Sequence, residues 1–362
     1  MKILLDNVIF SLQKAGGISI VWQQHLKRII NDIDFECSFF EYKDAEYNFF
    51  RSQIFLDQDS LDIKNNFLLK IKRYLNLHSK ISDKHIFHSS YYRTDKRESA
   101  INVTTVHDFT YEYFFNGFSK NIHSYQKKKS ILNSDGIICV SENTKRDLLK
   151  FIPNINENKI RVIYNGVDDV YRPLFDLSNF EKKHFFEDYN YVLYVGDRKA
   201  GYKNFHIAVE VCSLSKMSLL IIGGGELSIK EIHFLNEKLG DANFVSLLNV
   251  DSKDLNYYYN KAFCLLYPSL YEGFGIPIIE AQRAGCPVIA TNSSSIQEII
   301  GNKSLLIYNP TPQKIVNKMK ELKINGSYRT EMIEQGFYKS KDLSWQKTYD
   351  ETKKFYSDLF NS

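Results

Sequence analysis

Apolar residues run along this chain in short unbroken blocks, separated by glycines, polar turns and stretches of helical period. Blocks of that length bounded by turn residues are expected of parallel strands buried on both faces. In the first half they lie at Ile3–Leu5, Phe35–Phe40, His85–Ser89, Asn102–Asp108, Ser134–Ser141 and Lys159–Asp168, and Asn7–Phe10 can continue the first. In the second half they lie at Tyr191–Gly196, Leu219–Ile222, Asn243–Leu247, Phe263–Tyr267, Val288–Thr291 and Ser304–Tyr308. Between them, apolar positions recur at helical spacing, as in Trp22, Leu26 and Ile29. Other helices are expected after Ser141, from Phe205, through Tyr257–Tyr259, from Pro277 to Gly285, after Asn292–Ser295, and from Ser344-Trp345 through Tyr349 and Phe355. The alternation predicts an α/β protein of two Rossmann-like domains with parallel sheets, 1–170 and 171–343. Tyr171 to about Asn190, charged and aperiodic, reads as the linker.

One helical stretch leaves two readings open. Phe67, Leu68, Ile71, Tyr74 and Leu75 share a helical face, with Lys64, Lys70, Lys72 and Arg73 beside them. The face either packs on the sheet or meets an anionic membrane surface.

Composition narrows the partners. The net charge of +4 arises from nearly balanced totals over 362 residues, so no nucleic-acid footprint is present. Five scattered cysteines (Cys37, Cys139, Cys212, Cys264, Cys286) read as buried free thiols in a reducing compartment. The first residues are interrupted by charge too soon for a signal peptide, and no apolar run approaches the roughly 18 residues of a membrane span. A cytoplasmic protein is expected, with peripheral membrane contact through 64–75 as the alternative to a core-facing helix. Asp32-Ile-Asp34 and Asp57-Gln-Asp59 look like metal-binding pairs, but neither lies near the glycine loops, so they read as surface acids and no metal is expected.

The chemistry gathers where strands run into glycines. Gly16-Gly17 follows the first strand and Gly196 the first strand of the second domain, with Arg198 and Lys203 just beyond; Gly223–Gly225 forms a further loop, a nucleotide flank or only a tight turn. The densest stretch is Ser269–Thr291: Gly273 and Gly275 open a loop, Pro277 suits a first helical turn, and Gly285 and Pro287 stop the helix. Free N–H groups at such a helix start favour anions. Glu272 and Glu280 flank it with seven residues between them. His107-Asp108 ends a strand of the first domain, where ligands collect in doubly wound sheets.

Ser-Leu-Tyr-Glu-Gly-Phe-Gly-Ile-Pro with its second glutamate resembles the E-x7-E signature of retaining nucleotide-sugar glycosyltransferases, glycosyltransferase family 4. The resemblance implies the GT-B fold, with two Rossmann-like domains facing a central cleft and a last helix (344–362) that returns to the N-terminal domain. It implies no cofactor beyond a nucleotide diphosphate sugar as substrate, which the C-terminal domain would bind. Gly273, Phe274, Gly275 and Ile276 would meet the diphosphate and sugar, Glu280 the ribose, and Gly16 and Gly17 the phosphate or acceptor. Glu272 and His107 would stand beside the donor sugar, and Lys203 and Arg198 would neutralise the diphosphate. The family's first basic residue often directly follows the strand's glycine, where this chain has Asp197, so Lys203 is the firmer match. The implied reaction is hexose transfer, with mannose the guess, to a saccharide acceptor, polyprenyl-linked, in bacterial surface polysaccharide synthesis. Two rivals stand beside it: a catalytically silent nucleotide-sugar-binding partner subunit, and a glucan synthase-like enzyme.

Overall fold

The computed structural model describes residues 1–175, 185–301 and 303–362, and of Lys70 the backbone alone. Two compact units result: Met1–Asn165 with Trp345–Ser362, and Gly166–Ser344. The middle of the expected linker, 176–184, lies outside the described residues.

The N-terminal unit is built on seven strands: β1 (Lys2–Asp6), β2 (Glu36–Tyr42), β3 (Leu61–Lys64), β4 (His85–Ser89), β5 (Ala100–Val106), β6 (Gly136–Cys139) and β7 (Ile160–Val162). They pair in parallel in the order β3-β2-β1-β4-β5-β6-β7. The order reverses between β1 and β4, the switch point at whose carboxyl edge ligands bind in such sheets. The sheet's core includes Ile3, Leu5, Ile86 and Val103, packed against Trp22, Leu26 and Ile29 of the helix Gly17–Ile29. Tyr349, Phe355 and Tyr356 of the last helix, Trp345–Asn361, close the same core. That helix lies so near β6 that a Cβ on Gly136 would stand 2.4 Å from Leu359 and 2.8 Å from Phe355.

The C-terminal unit has six strands: β8 (Tyr191–Val195), β9 (Ser218–Ile222), β10 (Phe244–Leu247), β11 (Cys264–Tyr267), β12 (Val288–Thr291) and β13 (Leu306–Ile307). All pair in parallel, in the order β10-β9-β8-β11-β12-β13, with the switch point between β8 and β11. Val192, Leu219, Ile221, Cys264 and Ile289 fill its core against the helices Phe205–Ser215 and Pro312–Ile324. The expected fold class holds: two Rossmann-like parallel-sheet domains wrapped by helices, consistent with a GT-B fold.

Three local expectations are corrected. Residues 7–10 do not extend β1; the chain turns into a short helix, Ile9–Leu12, because Ser90 Oγ accepts the Ile9 N–H (3.0 Å) and Asp6 accepts that of Val8 (3.3 Å). The 67–75 helix shrinks to Leu69–Lys72, entered through a left-handed Leu68 (φ 62°). Its core-facing reading falls with it, since Phe67, Leu68, Ile71, Tyr74 and Leu75 are exposed while the alternate residues Leu69 and Leu77 pack inward beneath Phe87. The side chain of Lys70 lies outside the described residues. Finally, Ser295 precedes the short helix Ile296–Ile299 without capping it, its hydroxyl being used elsewhere.

Candidate active site

In the C-terminal unit the glycine-rich motif follows β11 at the switch point. Gly275 sits at φ +109°, a region disfavoured for side chains, and a Cβ there would press on Ile299 at 3.0 Å. It introduces the helix Ile276–Arg283, whose N-terminus no side chain caps and whose first turn holds Pro277. Two serines brace the loop from β12: Ser294 Oγ accepts the Glu272 N–H (2.8 Å), and Ser295 Oγ donates to the carbonyls of Glu272 and Phe274 (both 2.8 Å). Phe274 is buried, so it holds the loop down and its main chain is what lies with Gly273 and Ile276 in the loop.

Lys203 reaches the same loop from the β8 side. Its segment is tied there by Asn204 Nδ2 donating to the Pro268 carbonyl (2.9 Å) and Leu270 N–H to the Tyr202 carbonyl (2.8 Å). Lys203 Nζ then donates to Glu272 Oε1 at 2.6 Å, with the Tyr267 hydroxyl at 3.5 Å. Both side chains are largely buried, 14% and 11% exposed. Two residues far apart in sequence thus form a charge-assisted pair at the carboxyl edge of the sheet.

Glu280 stands one turn into the helix, buried, its Oε2 accepting the Tyr259 hydroxyl at 3.1 Å, with the Tyr171 hydroxyl also bonded. Burial outweighs these donors and pushes its pKa up to about 7. Arg198 is placed otherwise than a cation open to a diphosphate would be. Its fully buried guanidinium donates to Glu231 Oε1 (2.6 Å), the Gly223 carbonyl (2.7 Å) and the Glu226 carbonyl (2.6 Å). It pins the 223–226 loop, where a Cβ on Gly224 would collide with it at 2.7 Å.

In the N-terminal unit, His107 directly follows β5 and lines a cavity of about 40 Å³ at the switch point with Trp22, Ser90, Asn165 and Trp345. Burial holds the His107 pKa down to about 4 although Asp108 pulls it up, so the imidazole is neutral at pH 7. Asp108 turns away to accept the Thr110 N–H (2.8 Å). Gly17 opens the helix Gly17–Ile29, and Gly16 leaves room for Gln13, whose amide holds Ser19 (2.8 Å). The structure therefore brings Lys203, Glu272, Glu280 and the glycine loop together in one unit, and His107 with Gly16-Gly17 at the sheet edge of the other.

Several residues that shape these sites were invisible in the sequence. Tyr171 and Tyr259 carry no spacing relative to Glu280 that marks them. Buried Lys127, which donates to the Asp108 carbonyl (2.9 Å) and Glu112 (2.8 Å), looks like any helix lysine. The serine run after β12 was the one available signal for the loop's braces. Asp32 is engaged by Lys353 (2.8 Å) and Tyr349 (2.7 Å), and Asp57 caps its own turn.

Two family models match the chain: Glycosyltransferase Family 4 over residues 41–171, and Glycosyl transferases group 1 over 176–338. The O-antigen chain mannosyltransferase RfbU of Salmonella typhimurium is 31% identical over 216 residues, 58% of this chain and 57% of that protein. An uncharacterized glycosyltransferase of Methanocaldococcus jannaschii is 31% identical over 65% of this chain and 63% of its own length. The matched segments thus span about six tenths of these relatives. Sucrose-phosphate synthase of Thermosynechococcus elongatus superposes with a TM-score of 0.76 at 17% identity, covering 100% of this chain and 99% of that one. Anabaena HepE, solved with UDP and glucose, gives 0.75 at 14% over 99% and 100%. With that fold and those two matches, the chain is a GT-B-type relative of glycosyltransferases.

Proposed function

We propose that the chain is a retaining, metal-independent hexosyltransferase, moving mannose from a nucleotide diphosphate sugar to a saccharide acceptor in bacterial surface polysaccharide synthesis. The observation that carries this reading is the Lys203–Glu272 pair at 2.6 Å beside an uncapped helix start and its glycine loop. Breaking the bond from the sugar's anomeric carbon to phosphate leaves negative charge on the diphosphate. Lys203 retains one further N–H donor for it beyond those given to Glu272 and the Tyr267 hydroxyl, and the helix N-terminus adds positive potential. Such charge stabilisation by fixed groups is where transfer gains most of its rate. The acceptor oxygen bonds to the anomeric carbon on the face the phosphate leaves, and its proton passes to the departing phosphate oxygen. No protein nucleophile is required, and Glu272, held by Lys203, orients the sugar. Glu280 takes a ribose hydroxyl, Arg198 acts indirectly by fixing the adjoining loop, and neutral His107 hydrogen-bonds to the sugar. The mannosyltransferase relative favours mannose as the sugar.

A cytoplasmic location with peripheral membrane contact belongs to this reading. Among the described residues no helix is long and apolar enough to cross a membrane. The exposed Phe67, Leu68, Ile71 and Leu75 beside Lys72 suit contact with an anionic bilayer presenting a polyprenyl-linked acceptor. Screening purified protein with labelled nucleotide sugars, with and without EDTA, tests the proposal. Transfer that survives EDTA is expected. Tight donor binding without turnover would instead favour a silent partner subunit, and polymerisation of glucose a glucan synthase-like enzyme.

A further inference from the structure

The segment that leaves β12 makes its turn on a serine. Ser294 sits at φ 46°, in the left-handed region that residues with a Cβ seldom enter. In extended backbone successive side chains alternate between faces, so three in a row cannot reach one neighbour. The turn at Ser294 lets them. Ser293 Oγ donates to the Ser269 carbonyl (3.2 Å), Ser294 Oγ accepts the Glu272 N–H (2.8 Å), and Ser295 Oγ donates to the Glu272 and Phe274 carbonyls (both 2.8 Å). The Thr291 hydroxyl, at the end of β12, joins Ser293 on the Ser269 carbonyl. Non-glycine residues hold such conformations only where their surroundings fix them, and they gather at functional sites. A glycine would make the turn without strain but would leave the Glu272 N–H without this acceptor.

Glu272 is thus held from two sides. From the β8 side Lys203 Nζ draws its carboxylate at 2.6 Å; from the β12 side Ser294 and Ser295 hold its N–H and its carbonyl. β11, which leads into the loop, lies between those two strands. Without the Ser294 hydroxyl, the main chain at 272 would follow its carboxylate toward Lys203, leaving the ion pair whole but displaced. We infer that Ser294 is a positioning residue for transfer: its strained backbone carries the hydroxyl that keeps the Glu272 carboxylate, still paired with Lys203, in place beside the donor sugar. The inference rests on the transfer reading proposed above. A misplacement of about 1 Å near a reacting centre can cost roughly a hundredfold in rate.

The test separates the hydroxyl from the strain. Ser294→Gly removes both, Ser294→Ala removes the hydroxyl alone, and Ser294→Thr keeps the hydroxyl while adding a β-branch that the left-handed region disfavours. Ser294→Thr should therefore melt below the wild type, and Ser294→Gly above Ser294→Ala. Turnover, assayed with GDP-mannose and with UDP-glucose, should follow the hydroxyl instead. In Ser294→Gly and Ser294→Ala kcat should fall roughly ten- to a hundredfold with donor KM little changed, while Ser294→Thr stays near the wild type. Amide exchange at Glu272 should quicken in the first two variants and not in the third. Should Ser294→Thr not fold, equal loss of kcat in the other two at unequal melting temperatures decides the same point. A merely structural serine would make kcat fall in step with melting temperature, and that result overturns the inference. Undiminished kcat in Ser294→Gly and Ser294→Ala overturns it too, and leaves the transferase reading standing. A wild type that transfers from neither donor sinks the transferase reading; Glu272 exchange that still tracks the hydroxyl then keeps Ser294 as the residue that positions Glu272, and exchange that does not track it removes that role.

Discussion

Glu272 and Glu280 share one motif but stand in opposite surroundings, and their substitutions should separate accordingly. Glu272 is paired with a cation; Glu280 is buried among tyrosine hydroxyls. Glu280→Gln should weaken donor binding roughly ten- to a hundredfold, the worth of a charged hydrogen bond, and leave the single-turnover rate nearly intact. Glu272→Gln should slow turnover at near-normal donor affinity; equal effects at both positions would contradict the assigned roles. Glu280 also carries a pH signature. Its pKa rises on folding from the ordinary 4.5 to about 7, so the protonated form is favoured by the fold. Its contribution to stability is complete below pH 4.5 and is lost as pH rises through 7. Glu280→Gln removes this dependence, so thermal melts at pH 5 and pH 8 should show the variant gaining on the wild type at the higher pH. Lys203→Ala should cut transfer roughly 100- to 1,000-fold, as expected when a preorganised donor to developing charge is lost.

Among the elements, the loop after β8 shows where a motif residue can be structural. Arg198→Ala removes three charged hydrogen bonds, one to a largely buried Glu231, and should destabilise the protein by about 2 kcal/mol. Any loss of activity should follow from disorder of 223–226, visible as faster amide exchange there; a stable variant with an ordered loop and slow transfer would return Arg198 to the diphosphate. The sheet strands were legible because strands buried on both faces appear as continuous apolar runs, as at Tyr191–Val195 and Cys264–Tyr267. The motif loop was legible because Gly275 and Pro277 are local backbone requirements. What escaped depends on distant partners. The turn at 7–10 is decided by Ser90, the burial of Arg198 by Glu231 and two carbonyls, and the fate of 67–75 by which alternate leucines find the core. No window of neighbouring residues contains those facts.

At the scale of the whole molecule, the two units differ in how they meet acid. Burial pushes the pKa of His25 and His123 to about 3 and of His107 to about 4, and holds that of His88 well down, all in the N-terminal unit. Their folded forms are neutral, so the stability they confer is present above 6.5 and is lost as pH falls through that value toward 4. The C-terminal unit carries Glu280, whose dependence runs the other way. Amide exchange at pH 5 against pH 7.5 should therefore show β4 and β5 losing protection while β8 and β11 keep theirs; uniform loss would contradict this division. The central claim concerns chemistry, and the product's anomeric centre tests it most directly. Purified chain given an α-linked nucleotide hexose and a saccharide acceptor should yield an α-glycoside, read from the one-bond C1–H1 coupling in the NMR spectrum of the product. A β-glycoside would contradict the retaining, front-face account in which Lys203 and the helix start hold the leaving diphosphate while Glu272 orients the sugar.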